Sequence, residues 1–150
     1  MTDIQFYHLT STPLERALPK LLEKAIQGGF KAVVQVESDE KAEWMNGQLW
    51  SYDPASFLPH GTDKDGHSAL QPIYITAAEA NPNQADLLVI TDGSEKIWDE
   101  KFRRVLDIFD GNDETMIAKA RARWKKYQED GHNVSYIKQN AAGGWERQSA

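Results

Sequence analysis

The sequence predicts an α/β fold: a three-layer sandwich with a largely parallel central sheet and helices on both faces. Two observations carry the prediction. Short runs rich in β-branched and aromatic residues, such as "FKAVVQVES" and "DLLVITD", alternate along the chain with longer stretches in which apolar residues recur at helical spacing. The most apolar of these short runs have no polar face, as a parallel strand covered on both sides requires. The 150 residues suit one domain, expected over residues 1–138, with 139–150 as a flexible tail.

The elements follow in order. "DIQFYHL" (Asp3–Leu9) sets Ile4, Phe6 and partly His8 against Gln5 and Tyr7, and the punctuation "TSTP" ends it, so it reads as a first strand. Leu14, Ala17, Leu18, Leu21, Leu22, Ala25 and Ile26 then recur as on one face of a helix. Thr12 is the expected N-cap, with Pro13 at the first helical position, Glu15 completing a capping box and Gly28-Gly29 as the stop. Pro19 is expected either to kink that helix or to mark its true start. After the strand in "FKAVVQVES", Ser38 caps a second helix in which Lys41, Glu43, Trp44, Leu49 and Trp50 recur at roughly helical spacing. An irregular stretch runs from Asp53-Pro54 to Gly66. "QPIYITA" and "DLLVITD" read as two more strands, expected to lie side by side. "KIWDEKFRRVLDIFD" fits helical spacing through Trp98, Phe102, Val105 or Leu106, and Phe109, and "RRVLDIF" also fits a strand; a turn followed by a strand over Arg104–Phe109 is preferred. A last helix spans Asp113–Asp130 and stops at Gly131, and "NVSYIKQ" makes a final strand.

Composition removes several function classes. There is no cysteine, hence no disulfide, thiolate nucleophile or cysteine metal site. No apolar run approaches the roughly 20 residues that span a membrane, and "MTDIQFYHLTSTP" lacks the form of a secretory signal, so a cytoplasmic setting is expected. With 23 acidic against 17 basic residues and a pI near 5.2, the whole chain does not suit coating nucleic acid. Phosphate-cradling loops of the GxxxxGK[ST] or GxGxxG type are absent, and the turn after the first strand, "LTSTPLE", has no glycine; the fold is therefore expected to be Rossmann-like without a nucleotide-binding loop. His60 and His67 flank "GTDKDG", where Asp63 or Asp65 could join them on a metal, yet no HExxH-type helical pair occurs, and solvated loop histidines are the preferred reading. No GxSxG elbow is present. Neither a cofactor nor a catalytic residue is predicted.

One segment runs against the net charge of −6: "MIAKARARWKKYQ" (Met116–Gln128) sets Lys119, Arg121, Arg123, Lys125 and Lys126 around Trp124 and Tyr127 with no acid among them. At about 100° per residue, Met116, Ile117, Ala120, Trp124 and Tyr127 share a broad apolar sector that should face the sheet. Arg121 and Lys125 lie together on one flank of it, beside Trp124. Lys119, Arg123 and Lys126 are expected on the other side, as steering charge.

Three strings, "LWSYDPASFLPHG" (Leu49–Gly61), "ADLLVITDG" (Ala85–Gly93) and the "RARWKKYQEDGHNV" portion of the last helix and its sequel, resemble the chi family of accessory subunits of bacterial DNA polymerase III, and the likeness runs from "FYHL" to about Lys138. The resemblance implies a non-catalytic member of the clamp-loader assembly. In that family one surface binds the acidic C-terminal tail of single-stranded-DNA-binding protein, which ends in a Phe with a free carboxylate. Another binds the psi subunit, which tethers chi to the clamp loader. Carried onto this chain, the resemblance assigns the tail pocket to Phe109, Arg121, Trp124 and Lys125, and the psi-facing surface to Trp50, Phe57, Pro59 and His60. Trp124 stands where Tyr is frequent in the family, and Ile117 where a further basic residue is common. DNA would then be met mainly through the partner, and no membrane contact is implied.

The chemistry of the residues agrees with such a ligand. An aromatic rim beside a guanidinium suits a benzyl group that ends in a carboxylate: the ring fills an apolar gap and the arginine pairs the carboxylate through two N–H groups. Two alternatives stand beside it. The basic residues could serve as a solvated face that complements the helix dipole. They could also meet phosphates directly, with Trp124 stacking on a base of single-stranded nucleic acid. Trp50, Phe57 and Pro59 could equally cover the core beneath a long loop.

Overall fold

A computed structural model describes residues 3–51, 62, 72–77, 84–91, 102–142 and 144–148, without the side chains of 50, 51 and 148. Its elements are β1 (Asp3–Leu9), α1 (Leu14–Gln27), β2 (Ala32–Gln35), α2 (Asp39–Ser51), β3 (Ile73–Thr76), β4 (Leu87–Thr91), β5 (Arg104–Asp110), α3 (Glu114–Glu129), β6 (Asn133–Gln139) and β7 (Trp145–Gln148). They build one seven-stranded sheet in the order β3-β2-β4-β5-β1-β6-β7, parallel except for β7. Helices α1 and α2 cover one face, over a core that includes Leu18, Leu22, Val34, Met45 and Ile108. Helix α3 covers part of the other, over Ile4, Phe6, Val105 and Phe109. This is the expected three-layer α/β sandwich.

Alternation along β1 explains the two cores. Ile4 and Phe6 point to α3 and Leu9 to the α1 side, because successive side chains leave a strand on opposite faces. Strands β2, β3 and β4 are buried at every residue, the signature of central parallel strands. The expectation that the third and fourth strands pair with each other fails: β2 lies between them, pairing Ala32–Gln35 with Ile73–Thr76 on one side and with Leu87–Ile90 on the other. Uniformly apolar strands carry no mark of which neighbour they take, so their order is set by the crossovers and not by pattern.

Helix α1 starts one residue later than expected. Pro13 is its N-cap and makes no side-chain cap; its carbonyl accepts from Arg16 N (3.1 Å) and Ala17 N (3.0 Å). The Thr12 hydroxyl, expected to cap, instead accepts from Gln139 Nε2 at 2.8 Å. The helix runs through Pro19, whose side chain is buried with the apolar face. It stops as the glycines require, with Gly28 as C-cap and Gly29 at φ +88°. In α2, Ser38 Oγ accepts from Lys41 N (3.1 Å), the expected cap. The buried face there is Ala42, Met45 and Leu49, whereas Trp44 is 39% exposed, with Lys41 Nζ over its ring at 4.3 Å.

The C-terminal segment differs from the expected tail. Asn140 turns the chain, its Oδ1 accepting from Ala142 N (3.0 Å) and Gly144 N (2.9 Å), and β7 then pairs antiparallel with β6. Trp145 anchors it by standing edge-on to the Tyr7 ring at 5.1 Å. A hairpin of this kind is signalled by an Asn/Gly cluster followed by an aromatic, and "NAAGGWERQ" has both.

Candidate functional site

Helix α3 is positioned by its ends. Asp113 Oδ1 accepts from Thr115 N (2.9 Å) and Met116 N (3.4 Å), and Gly131 at φ +86° turns the chain out of the helix into β6. Between these ends Ala120 and Tyr127 are buried, with Ile117 and Trp124 half-buried against the same core. Phe6, in the middle of β1, is the hub: its ring centroid lies 5.7 Å from Trp124, 5.9 Å from Tyr127 and 6.5 Å from Phe109.

Three of the four residues assigned to the tail pocket gather at one place. Trp124 packs edge-on against Tyr136 of β6 at 5.8 Å, Phe109 lies 6.2 Å from the same ring, and the Arg121 charge reaches both Tyr136 and His8. Phe109 is 1% exposed, so it forms the floor beneath this cluster and offers no outer surface. Arg121 and Lys125 are exposed on successive turns of α3.

The cluster includes residues that the sequence reading did not assign to the site. His8 Nδ1 is hydrogen-bonded to the Tyr136 hydroxyl, and the His8 ring lies 5.1 Å from that of Phe109. Lys138 pairs with His8 in the β1–β6 register. Burial, then the charge of Lys138 and, more weakly, that of Arg121 hold His8 below its ordinary value, against an upward pull from a Gly111 backbone hydrogen bond and from Asp110. Burial raises Tyr136, with Arg121 opposing. A signal for these residues was present: alternation in "NVSYIKQ" puts Val134, Tyr136 and Lys138 on one face, and that face is the one α3 covers.

Arg123 corrects the reading of the helix. Expected among the steering charges, it is 8% exposed and bonds Asp107 of β5 twice, Nε to Oδ2 at 2.7 Å and Nη2 to Oδ1 at 3.0 Å. Asp107 is 1% exposed; burial pushes its carboxyl up, against the pull of Arg123's hydrogen bonds and charge. The helical period contained this result, since Arg123 falls about 20° from Met116 and about 40° from Tyr127, inside the apolar sector.

A concavity lies where an α/β sheet of this kind ordinarily takes a ligand, beyond the carboxyl ends of β1 and β5. It has a volume of about 420 Å³ and is lined by the β1–α1 turn with Lys41, Asp110 and Asn112. The turn directs three successive N–H groups at one point, as a phosphate cradle does, but that point is held by the chain itself. Gln139 Oε1 accepts from Thr10 N (3.2 Å), Ser11 N (3.0 Å) and Thr12 N (3.0 Å). Among the described residues there is no cluster of three or more His, Asp or Glu that could hold a metal ion, and no helix is long and apolar enough to cross a membrane. The Trp50 side chain and all of Phe57, Pro59 and His60, the residues assigned to a psi surface, lie outside the described residues, as does His67.

Comparison with known proteins agrees in one direction. The profile of the family described as "DNA polymerase III chi subunit, HolC" matches residues 1–135. A "Probable DNA polymerase III subunit chi" of Rickettsia prowazekii is 30% identical, over 98% of this chain and 92% of the relative. "DNA polymerase III subunit chi" of Haemophilus influenzae is 27% identical over 87% of this chain and 93% of its own, and the protein of the same name from Pseudomonas aeruginosa is 24% identical over 88% and 93%.

Proposed function

The chain belongs to the DNA polymerase III chi subunit family, and on that premise we propose that it is a non-catalytic accessory subunit of the replicase. It binds the acidic C-terminal tail of single-stranded-DNA-binding protein and links that protein to the clamp loader, as part of a cytoplasmic replisome. The observation that carries the reading is the cluster of Arg121, Trp124 and Tyr136 on the open flank of α3, cationic in a chain of net charge −6. A terminal Phe ring packs against the Trp124–Tyr136 edge, and Arg121 takes the terminal carboxylate through paired N–H groups. Lys125 attracts the acidic residues that precede the Phe, which speeds encounter and makes binding weaken with salt. A short tail held this way binds in the micromolar range, about −8 kcal/mol, and several tails on one partner raise the avidity. The psi-facing surface assigned to Trp50, Phe57, Pro59 and His60 supplies the clamp-loader link in the same reading.

The test is a titration of a labelled acidic peptide ending in Phe with a free carboxylate. Arg121→Ala should weaken binding about 10- to 100-fold, the range of a lost charge-assisted hydrogen-bonded pair, and Trp124→Ala by a similar factor. Should the peptide fail to bind while naked single-stranded DNA binds tightly, the basic flank is a nucleic-acid surface and the reading fails. For the clamp-loader link, Phe57→Asp is expected to abolish capture of a clamp-loader component while leaving peptide binding intact.

A further inference from the structure

This inference rests on the tail-binding reading and concerns the Tyr136 hydroxyl, where that reading uses only the ring, and His8, which it does not use. Tyr136 is half-buried between Trp124 and His8, and its hydroxyl is bonded to His8 Nδ1. The His8 ring is confined on its other side: a Cβ added at Gly111 would fall 2.0 Å from His8 Nε2 and 2.4 Å from the Leu9 carbonyl oxygen. The Gly111 backbone beside the ring favours its protonated form. In the neutral tautomer that carries its proton on Nε2, His8 presents Nδ1 as an acceptor, and the Tyr136 O–H donates to it. We infer that Tyr136 is a wall of the pocket for the peptide's terminal carboxylate, and that His8 is a positioning residue which decides whether the Tyr136 proton points inward or toward that carboxylate.

The proton balance is simple. While His8 is neutral, the phenol proton is spent on Nδ1. A proton taken from solvent by Nδ1 reverses the bond: the ring N–H now donates to the phenol oxygen, and the phenol O–H is released to donate outward. The charged and titratable groups that act on His8 are Lys138 and Tyr136 from β6, Arg121 from α3, and Asp110 at the end of β5. Burial, Lys138 and Arg121 disfavour the protonated ring in the free protein, against the Gly111 backbone and Asp110. A carboxylate seated between Arg121 and Tyr136 offsets those cations and accepts the released phenol proton, so it favours protonated His8. Binding therefore takes up a proton. Affinity rises as pH falls through the bound-state value of His8 and levels off below the free-state value, which lies under 6.5.

The test compares the full chain with Tyr136→Phe, which keeps the ring and removes the hydroxyl. Binding of a labelled acidic peptide ending in Phe-carboxylate is measured by anisotropy at about pH 8 and about pH 5.5, between which an ordinary His titrates and Asp and Glu remain largely ionised. The unaltered chain should bind about 3- to 10-fold tighter at the lower pH, the worth of one released hydrogen bond. Tyr136→Phe should lose that gain, and the peptide carrying a C-terminal amide should show none of it with either protein. In NMR titrations of the unaltered chain, saturating peptide should move the His8 ring midpoint upward. Tyr136→Phe that binds the peptide as tightly as the unaltered chain and keeps the same gain at the lower pH, or a His8 midpoint that peptide leaves unmoved, overturns this inference and leaves the tail reading standing. Absence of peptide binding by the unaltered chain at both pH values overturns the two together.

Discussion

Arg121 and Arg123 stand two residues apart in the same helix, in the near-repeat "ARAR", and the fold gives them opposite work. Arg123 is turned into the sheet, where two charge-assisted hydrogen bonds join it to Asp107 and no solvent screens the pair. Arg121 is about 160° further back around the helix, exposed, with its charge felt at His8 and Tyr136. The first is a structural tie between α3 and β5. The second is open to solvent and is the charge that the proposed tail binding uses. A basic residue in an amphipathic helix is thus defined by its angle to the core more than by its place in a run of charge, and the count of five bases around Trp124 overstates what a partner can meet.

The largest expected effect breaks the buried side of this contrast. Arg123→Met strands the Asp107 carboxylate in the interior and should cost about 3–5 kcal/mol in urea unfolding, whereas Arg123→Met combined with Asp107→Leu should recover most of that loss. If Arg123→Met alone is neutral, the pair is not the tie its burial implies. Next in size is Gly111→Ala, which acts on the Arg121 side through the backbone. Its Cβ would collide with the His8 ring and the Leu9 carbonyl, so a loss of about 1–3 kcal/mol is expected, with weakened tail binding as Tyr136 is displaced. The smallest effect on stability belongs to Arg121→Ala, within about 0.5 kcal/mol of the parent as for other surface substitutions, although the same change should produce the large loss of peptide affinity. An Arg121→Ala protein that unfolds early would erase the contrast between the two arginines.

Much of the fold was legible because its signals are local. The alternation of "DIQFYHL", the glycines closing α1, the Ser38 cap and the limits of α3 from Asp113 to Gly131 each depend on a few neighbouring residues, and the structure matches them. The "RRVLDIF" segment, ambiguous in period, is the strand β5. The pairing of β3 with β4 was read wrongly since all-apolar strands do not encode their neighbours. In the candidate site, Arg121, Trp124 and Phe109 were assigned through the family resemblance, and helical spacing by itself placed only Arg121 and Lys125 beside Trp124. His8, Tyr136 and Lys138 were not assigned, because their meeting depends on the parallel register of β1 with β6, 128 residues apart from His8 to Tyr136.

By itself, then, the sequence determined the fold class, most element limits and the family, since periodicity, capping and turn chemistry act over one or two turns of chain. Only the tertiary structure decided which of two neighbouring arginines is buried, which strand lies beside which, and that Gln139 occupies the three N–H groups of the β1–α1 turn. These outcomes belong to contacts between distant segments. There the cost of burying a charge or a polar group is met only by a partner that folding brings within about 3 Å.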